Sequence, residues 1–180
     1  MKRLWAITIA LFLLGTVITD ASSYVQPPPS MAGLKGLRSV VLDIQVLGLL
    51  PISVVSNEQL RMDMRNLIAR RLQQSGITVY DTVSTSPPAD GVLYAHITMQ
   101  EARNTDGIGT GLFIGSVDMN LGQRVYLARP IQDDLVAAVG VTWIRQSTFL
   151  AGNGTSIASL VHDRVSADIE AFLTDWRGQQ

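Results

Sequence analysis

The chain has 180 residues, with 14 basic and 15 acidic side chains and no cysteine. Its length is that of one domain, and its near-neutral charge lacks the basic excess of nucleic-acid binders. The absence of cysteine excludes disulfides, thiolate metal sites, a cysteine nucleophile and the lipid-modified N-terminal cysteine of a bacterial lipoprotein.

The N-terminus has the pattern of a secretory signal peptide. Residues 1–3 are a short cationic start, residues 4–18 are almost entirely apolar, and Ala21 follows as a small residue. We predict a signal peptide over residues 1–21 and a periplasmic or secreted mature protein. The alternative is a retained membrane anchor. The apolar run is short for that role, because a spanning helix needs about 20 apolar residues.

Residues 22–36 contain three consecutive prolines together with serine and glycine, which predicts an extended linker outside the fold. The following run, residues 37–49, is almost continuously apolar. Such a run is typical of a strand that is covered on both faces.

The clearest predicted helix spans residues 56–76. Ser56 and Gln59 have the spacing of a capping box, and Gly76 ends the pattern. Its apolar stripe comprises Leu60, Met64, Leu67, Ile68 and Leu72. A short strand over residues 77–82 completes a strand–helix–strand unit with parallel strands. Four arginines on this helix are interpreted as a solvated face rather than a phosphate or lipid-headgroup patch: Arg61, Arg65, Arg70 and Arg71.

Three longer strands with alternating patterns follow, and their short connections favour an antiparallel meander. In residues 92–102 the predicted buried face is Leu93, Ala95, Ile97 and Met99, and the other face is Tyr94, His96 and Thr98. In residues 116–128 the buried face is Val117, Met119, Leu121, Val125 and Leu127, against Asp118, Asn120, Gly122, Arg124 and Tyr126. In residues 135–146 the pattern puts Val139, Val141 and Trp143 opposite Thr142 and Ile144.

A second amphipathic helix over residues 155–176 ends the pattern, with Thr155 or Ser156 as its cap. Its stripe comprises Ile157, Leu160, Val161, Val165, Ile169, Phe172, Leu173 and Trp176. These elements predict one α+β domain at residues 37–177. We expect a mixed, mostly antiparallel sheet in the order β-α-β-β-β-β-α, with both helices packed on one face.

The stretch NTDGIGTGLFIG, residues 104–115, resembles a phosphate-binding loop in its four glycines. A phosphate loop leads into a helix, whose N-terminus binds the phosphate. Here a strand pattern follows, and the chain has no Walker lysine. We therefore predict a hairpin connection, for which Asp106-Gly107 is a favoured turn pair.

The sequence assigns no catalytic residue, no cofactor and no metal ligand. His162 is interpreted as a solvated helix residue. His96 lies on the polar sheet face, where it could meet Asp118, Arg124 or Tyr126 across strands, and a histidine there could act as a base at neutral pH. Because binding surfaces favour Tyr and Arg, we hypothesise a binding face made of Tyr94, His96, Asp118, Asn120, Arg124 and Tyr126. The flanking loops at residues 102–111 and 147–154 are alternative contact sites.

Several segments of residues 40–176 resemble a family of short exported bacterial proteins of unknown function. The most telling are the helix ending in LQQSGITV, the strand VDMNLGQRVYLAR, and the TW pair before a glycine-rich loop and the final helix. More loosely, the element order is similar to that of periplasmic auxiliary subunits of outer-membrane assembly and ABC-type transport. The resemblance implies export and this fold, and no functional residues.

The expected function is accordingly a non-catalytic binding role, or an auxiliary role in assembly or transport, in the bacterial envelope. The partner would be an envelope protein or ligand, not a nucleic acid, and membrane contact would require a retained N-terminal segment. The alternatives are a small periplasmic enzyme that uses His96 and a membrane-anchored subunit. A buried cleft at His96 with a carboxylate in hydrogen-bond reach would favour the enzyme, and a flat open face would favour the binding protein.

Overall fold

The computed structural model describes residues 31–48, 56–81, 89–126, 137–152 and 156–180. After a 3-10 helix at Met31–Leu34, its elements are β1 (Ser39–Leu47), α1 (Asn57–Gln74), β2 (Thr78–Tyr80), β3 (Gly91–Arg103), β4 (Gly109–Tyr126), β5 (Ala137–Ala151) and α2 (Ile157–Arg177). The predicted order and the α+β class are confirmed. The predicted signal peptide lies outside the described residues. No helix in these ranges is both long and apolar enough to span a membrane.

The five strands form one mixed sheet in the order β2-β1-β3-β4-β5. β1 pairs in parallel with β2 and β3, as a strand–helix–strand unit requires. β3, β4 and β5 form the predicted antiparallel meander. β1 is an interior strand, but the prediction that both of its faces are buried holds only in part. Val40, Leu42 and Ile44 are buried towards the helices, whereas on the opposite face Val41 is buried and Gln45 is exposed.

Helix α1 is built as the sequence predicts. All five residues of its apolar stripe are buried, and the Ser56 hydroxyl accepts a hydrogen bond from the Gln59 N–H at 3.1 Å. The second half of the capping box is absent, because the Gln59 side chain donates to Asp63 instead of returning to the cap. The positive φ of 88° at Gly76 turns the chain towards β2.

Helix α2 packs beside α1 on the same face of the sheet, and its stripe joins the single hydrophobic core. Ser156, rather than Thr155, caps it by accepting from the Ser159 N–H. Phe172 meets Trp143 of β5 edge to face, with ring centroids 5.1 Å apart. The stripe also contains one residue that periodicity did not predict, the carboxylate Asp168, which is 1% exposed.

The fold begins before the predicted linker ends. Leu34, in the 3-10 helix, is fully buried, and Leu37 is 1% exposed. The Trp176 indole donates to the Leu37 carbonyl oxygen at 3.0 Å. Residues 31–36 therefore belong to the domain, because two leucines spaced among glycines reach the core; residues 22–30 lie outside the described part.

One predicted strand face is wrong. Leu121 of β4 pairs with Trp143, but the next residue of β4, Gly122, pairs with Val141. Thr142 is therefore an extra residue in β5, a β-bulge that reverses the alternation of side chains. Trp143 is buried against the helices, whereas Val139 and Val141 lie on the opposite face and are 78% and 61% exposed.

Candidate functional site: the open face of the sheet

The sheet has one face packed against both helices and one face that no described element covers. We call the second one the open face. Its centre is formed by side chains that are paired directly across strands: Tyr94 opposite Asn120, and His96 opposite Asp118. The structure thus brings four of the six predicted binding residues together on adjacent strands. Asp43 and Gln45 of β1 extend the same two rows.

The other two predicted residues are not part of this centre. Arg124 is exposed near the far end of β4, six residues along the strand from Asp118. At about 3.3 Å per strand residue, this separation is roughly 20 Å. Tyr126 is the last residue of β4 and is opposite Ala137. The expectation that His96 meets Arg124 or Tyr126 is therefore wrong. In the register of β3 and β4, the residue opposite His96 is Asp118.

His96 is half-buried in an environment that leaves one nitrogen unused. Its ring meets Tyr94 edge to face, with centroids 6.1 Å apart. Its Nε2 atom is buried and has no hydrogen-bond partner among the described residues. Most buried polar side-chain atoms have a partner, so within the described residues this nitrogen is an unsatisfied polar atom below the surface of the open face.

Asp118 is engaged by a hydroxyl rather than by the imidazole. It accepts a hydrogen bond from Ser116 at 2.9 Å, and the Ser116 oxygen lies 2.9 Å from that of Thr98. Thr148 of β5 is the next side chain in the row. Thr98 and Ser116 are therefore a connected pair of hydroxyl groups that ends at the carboxylate of Asp118, beside His96.

This arrangement does not assemble an acid–base pair. A catalytic histidine is oriented and made basic by a carboxylate or a comparable group. In the described structure, His96 makes no ion pair with a carboxylate, and Asp118 is turned to Ser116. No described element covers the face of the sheet around His96. His162 lies exposed on α2 beside Asp163.

Apolar side chains at both ends of the open face form a feature that the sequence pattern missed. At one end are Leu47, Ile114 and Leu150, and at the other are Val139 and Val141, all at least half exposed. Ile114 and Leu150 are directly paired across β4 and β5. Tyr94 extends the Val139 end towards the centre, since its ring lies over Gly122, which Val139 also approaches. Clustered exposed apolar residues with a polar centre are characteristic of an interaction surface.

A concavity of about 650 Å³ lies at the Leu47 end of this face. β3 continues past the end of β1, and within the described ranges no strand pairs in parallel with residues 99–103. Residues 49–55, which follow β1 in the chain, are outside the described part. Thr98, Ser116 and Thr148 supply hydroxyl groups to its lining, and Leu47 and Ile114 supply apolar ones.

The glycine-rich stretch is a hairpin tip, as predicted. β3 and β4 are antiparallel on either side of it, and Gly107 has a φ of 77°. The Asn104 side-chain oxygen accepts from the N–H groups of Asp106 and Ile108 at 3.0 and 2.8 Å. Gly109 already belongs to β4. A phosphate loop needs a following helix, and here a strand follows.

The second predicted contact loop starts too early. Residues 147–151 are the last part of β5, and residues 153–155 lie outside the described part.

On α1, three of the four arginines are paired with carboxylates: Arg61 with Glu58 at 2.5 Å, Arg65 with Asp81 at 2.6 Å and Arg71 with Glu170 at 3.3 Å. The Arg61 hydrogen bond holds the pKa of Glu58 below its ordinary value. These pairs agree with a solvated helix face.

No group of three His, Asp or Glu side chains within the described ranges is placed to hold a metal ion.

No protein-family model matches the chain, and no curated protein sequence does. Solved structures with similar architecture exist at low identity. The hypothetical protein CT253 from Chlamydia trachomatis has 14% identity and a TM-score of 0.48, over 77% of this chain and 96% of its own.

PelC from Paraburkholderia phytofirmans has 15% identity and a TM-score of 0.44, over 79% of this chain and 89% of its own. The lipoprotein GNA1162 from Neisseria meningitidis has 14% identity and a TM-score of 0.37, over 76% and 99%. The similar structures thus include an uncharacterised protein and a lipoprotein. At these values the similarity transfers no function and no site residue to this chain, which has no cysteine to carry a lipid.

Proposed function

We propose that this protein is exported to the bacterial envelope and has a non-catalytic binding role there, as an auxiliary component of assembly or transport. The open face is the surface that contacts the partner. One observation carries the proposal: both helices pack on one face of the sheet, while the other face carries exposed apolar side chains around a polar centre. An antiparallel sheet with one solvated face normally presents polar residues there.

The chemistry of the face describes the partner. Tyr94, His96 and Asn120 offer aromatic and hydrogen-bonding groups at the centre, and Val141 and Ile114 offer apolar contact at the ends. Interfaces combine an apolar contact area with specific polar groups in this way. The partner that fits this face is an envelope protein with exposed apolar residues on its own surface.

Site-specific photo-crosslinking in living cells tests the proposal. A photoreactive residue at Val141 samples the open face, and the same residue at Met62, which is 40% exposed on α1, is the matched control on the helix side. We expect a discrete crosslinked envelope protein from Val141 and not from Met62. The Tyr94→Lys variant should remove it. Equal products from both positions, or a Val141 product that Tyr94→Lys leaves unchanged, would contradict the proposal.

Export is tested separately by mass spectrometry of the mature protein. Cleavage after Ala21 gives a chain that begins at Ser22, and its recovery from the periplasm or the medium supports export. An intact N-terminus in the membrane fraction would support the anchored alternative instead. This measurement does not depend on which surface binds the partner.

A further inference from the structure

β5 forms a long edge of the sheet. It spans Ala137–Ala151 and, within the described ranges, pairs only with β4. The opposite edge, β2, has only three residues. An edge strand presents a row of unpaired N–H and C=O groups, and natural proteins protect long edges against pairing with another chain.

The protection on this edge covers only part of it. The bulge at Thr142 interrupts the strand, but it leaves Trp143–Ala151 regular. This part contains no proline and no lysine. Its one charged side chain, Arg145, points to the helix side and is neutralised by Asp168 at 2.7 Å. Nine consecutive residues therefore have no second strand beside them in the part of the chain that the structure describes.

These nine residues are complementary to themselves. In an antiparallel pair of identical strands related by a two-fold axis, each residue faces the one at the same distance on the other side of the axis. The central residue of Trp143–Ala151 is Ser147. An axis at Ser147 places Ile144 opposite Leu150 and Gln146 opposite Thr148 on the open face. An axis at Arg145 would place two guanidinium groups opposite each other, which is unfavourable.

The helix side is also compatible with this register. Trp143 faces Ala151, a large residue against a small one, and Arg145 faces Phe149. Leu150 is 62% exposed in the single chain, so its contact with Ile144 removes apolar surface from water. By symmetry the contact occurs twice. Apolar and aromatic pairs across strands are the contacts that stabilise paired strands.

We infer that two copies of this chain associate through β5, antiparallel about a two-fold axis at Ser147, to give a continuous ten-stranded sheet. The two open faces then lie side by side as one surface, while the two pairs of helices cover the other side. Such an isologous contact uses the same patch on both copies and closes as a dimer.

Cysteine pairs provide the sharpest test, because the native chain has no cysteine. In the Ile144→Cys, Leu150→Cys variant, the two thiols of one chain are about 20 Å apart, too far for an internal disulfide. In the dimer each faces the other residue's thiol on the second copy. We expect covalent dimer under mild oxidation. The control is Val139→Cys, Leu150→Cys, which is offset by five residues in this register and should form no covalent dimer under the same oxidation.

Sedimentation equilibrium of the purified mature protein measures the association itself. Leu150→Lys should weaken dimerisation about tenfold or more, because two apolar contacts are lost per dimer. Ile144→Glu combined with Leu150→Lys should restore it, since opposite charges then face each other. Val139→Lys, at an exposed residue above the bulge, should have no effect. Unfolding curves confirm that each variant is folded.

A protein that stays monomeric at hundreds of micromolar would overturn the inference. So would a dimer that Leu150→Lys leaves intact, or one in which the control cysteine pair crosslinks as well as the matched pair. The photo-crosslinking at Val141 is independent of these results, so the dimer and the proposed partner surface can fail separately.

Discussion

Arg145 on β5 donates its Nε–H to the carboxylate of Asp168 on α2 at 2.7 Å, and this pair connects the sheet edge to the helix layer. Asp168 is almost completely buried, whereas the Arg145 side chain is about half exposed. The Ser147 hydroxyl donates to the second carboxylate oxygen at 2.8 Å. The buried charge is therefore satisfied from the edge strand alone.

Replacing Arg145 with leucine should destabilise the protein by about 2 kcal/mol. A buried carboxylate that loses its charged partner costs several kcal/mol, and the exposure of Arg145 to solvent reduces this cost. The double variant Arg145→Leu, Asp168→Leu should recover part of the loss, because an apolar pair needs no compensation. Chemical denaturation of the single and double variants measures both effects. A double variant less stable than Arg145→Leu would show that loss of the Ser147 hydrogen bond outweighs removal of the unpaired charge.

Replacing His96 with phenylalanine should leave stability unchanged or raise it by up to about 1 kcal/mol. The buried Nε2 atom has no partner in the described structure, and removing an unsatisfied polar group relieves its desolvation cost. Tyr94→Phe, which keeps an aromatic ring against residue 96, is the control for the packing between these two side chains. A loss of more than about 1 kcal/mol in His96→Phe would instead reveal an internal hydrogen bond.

Gly115→Ala should cost about 1–3 kcal/mol through overpacking. A methyl group there would overlap the Phe149 ring and approach the Thr98 carbonyl oxygen. Gly152→Ala is the matched control, since no atom of the described residues other than its chain neighbours lies within 4 Å of its Cβ position. Thermal unfolding of the two variants compares them directly. Adding Phe149→Leu to Gly115→Ala should recover part of the stability. No recovery would show that the methyl group clashes mainly with the backbone at Thr98.

Asn104→Ala should destabilise the hairpin by about 1 kcal/mol, because its side-chain oxygen accepts two backbone N–H groups. Thr105→Ala, at an exposed neighbouring residue, should be neutral. Hydrogen exchange of the amides at Asp106 and Ile108 locates the effect. Unchanged protection of both amides in Asn104→Ala would mean that this side chain does not hold the turn.

The sequence determined the elements whose pattern is local. The stripe of α1 and its Ser56 cap depend on helical spacing within one segment, and the alternation of β3 around Tyr94 and His96 depends only on the two-residue period of a strand. The hairpin was also predictable, because the strand pattern after Gly107 leaves no helix to bind a phosphate. The same period on β4 put Asp118 and Asn120 on one face of that strand, but it did not show which residues of β3 they oppose.

Only the tertiary structure decided the features that depend on pairing between strands. The extra residue at Thr142 is invisible in β5 alone, since a bulge is defined against the partner strand, yet it moves Val139 and Val141 to the open face. Register likewise separates Arg124 from His96. The burial of Asp168 depends on Arg145, which is distant in sequence and neutralises a charge that helical periodicity would place in solvent. Local chemistry set which elements form, and the pairing of strands set which side chains meet.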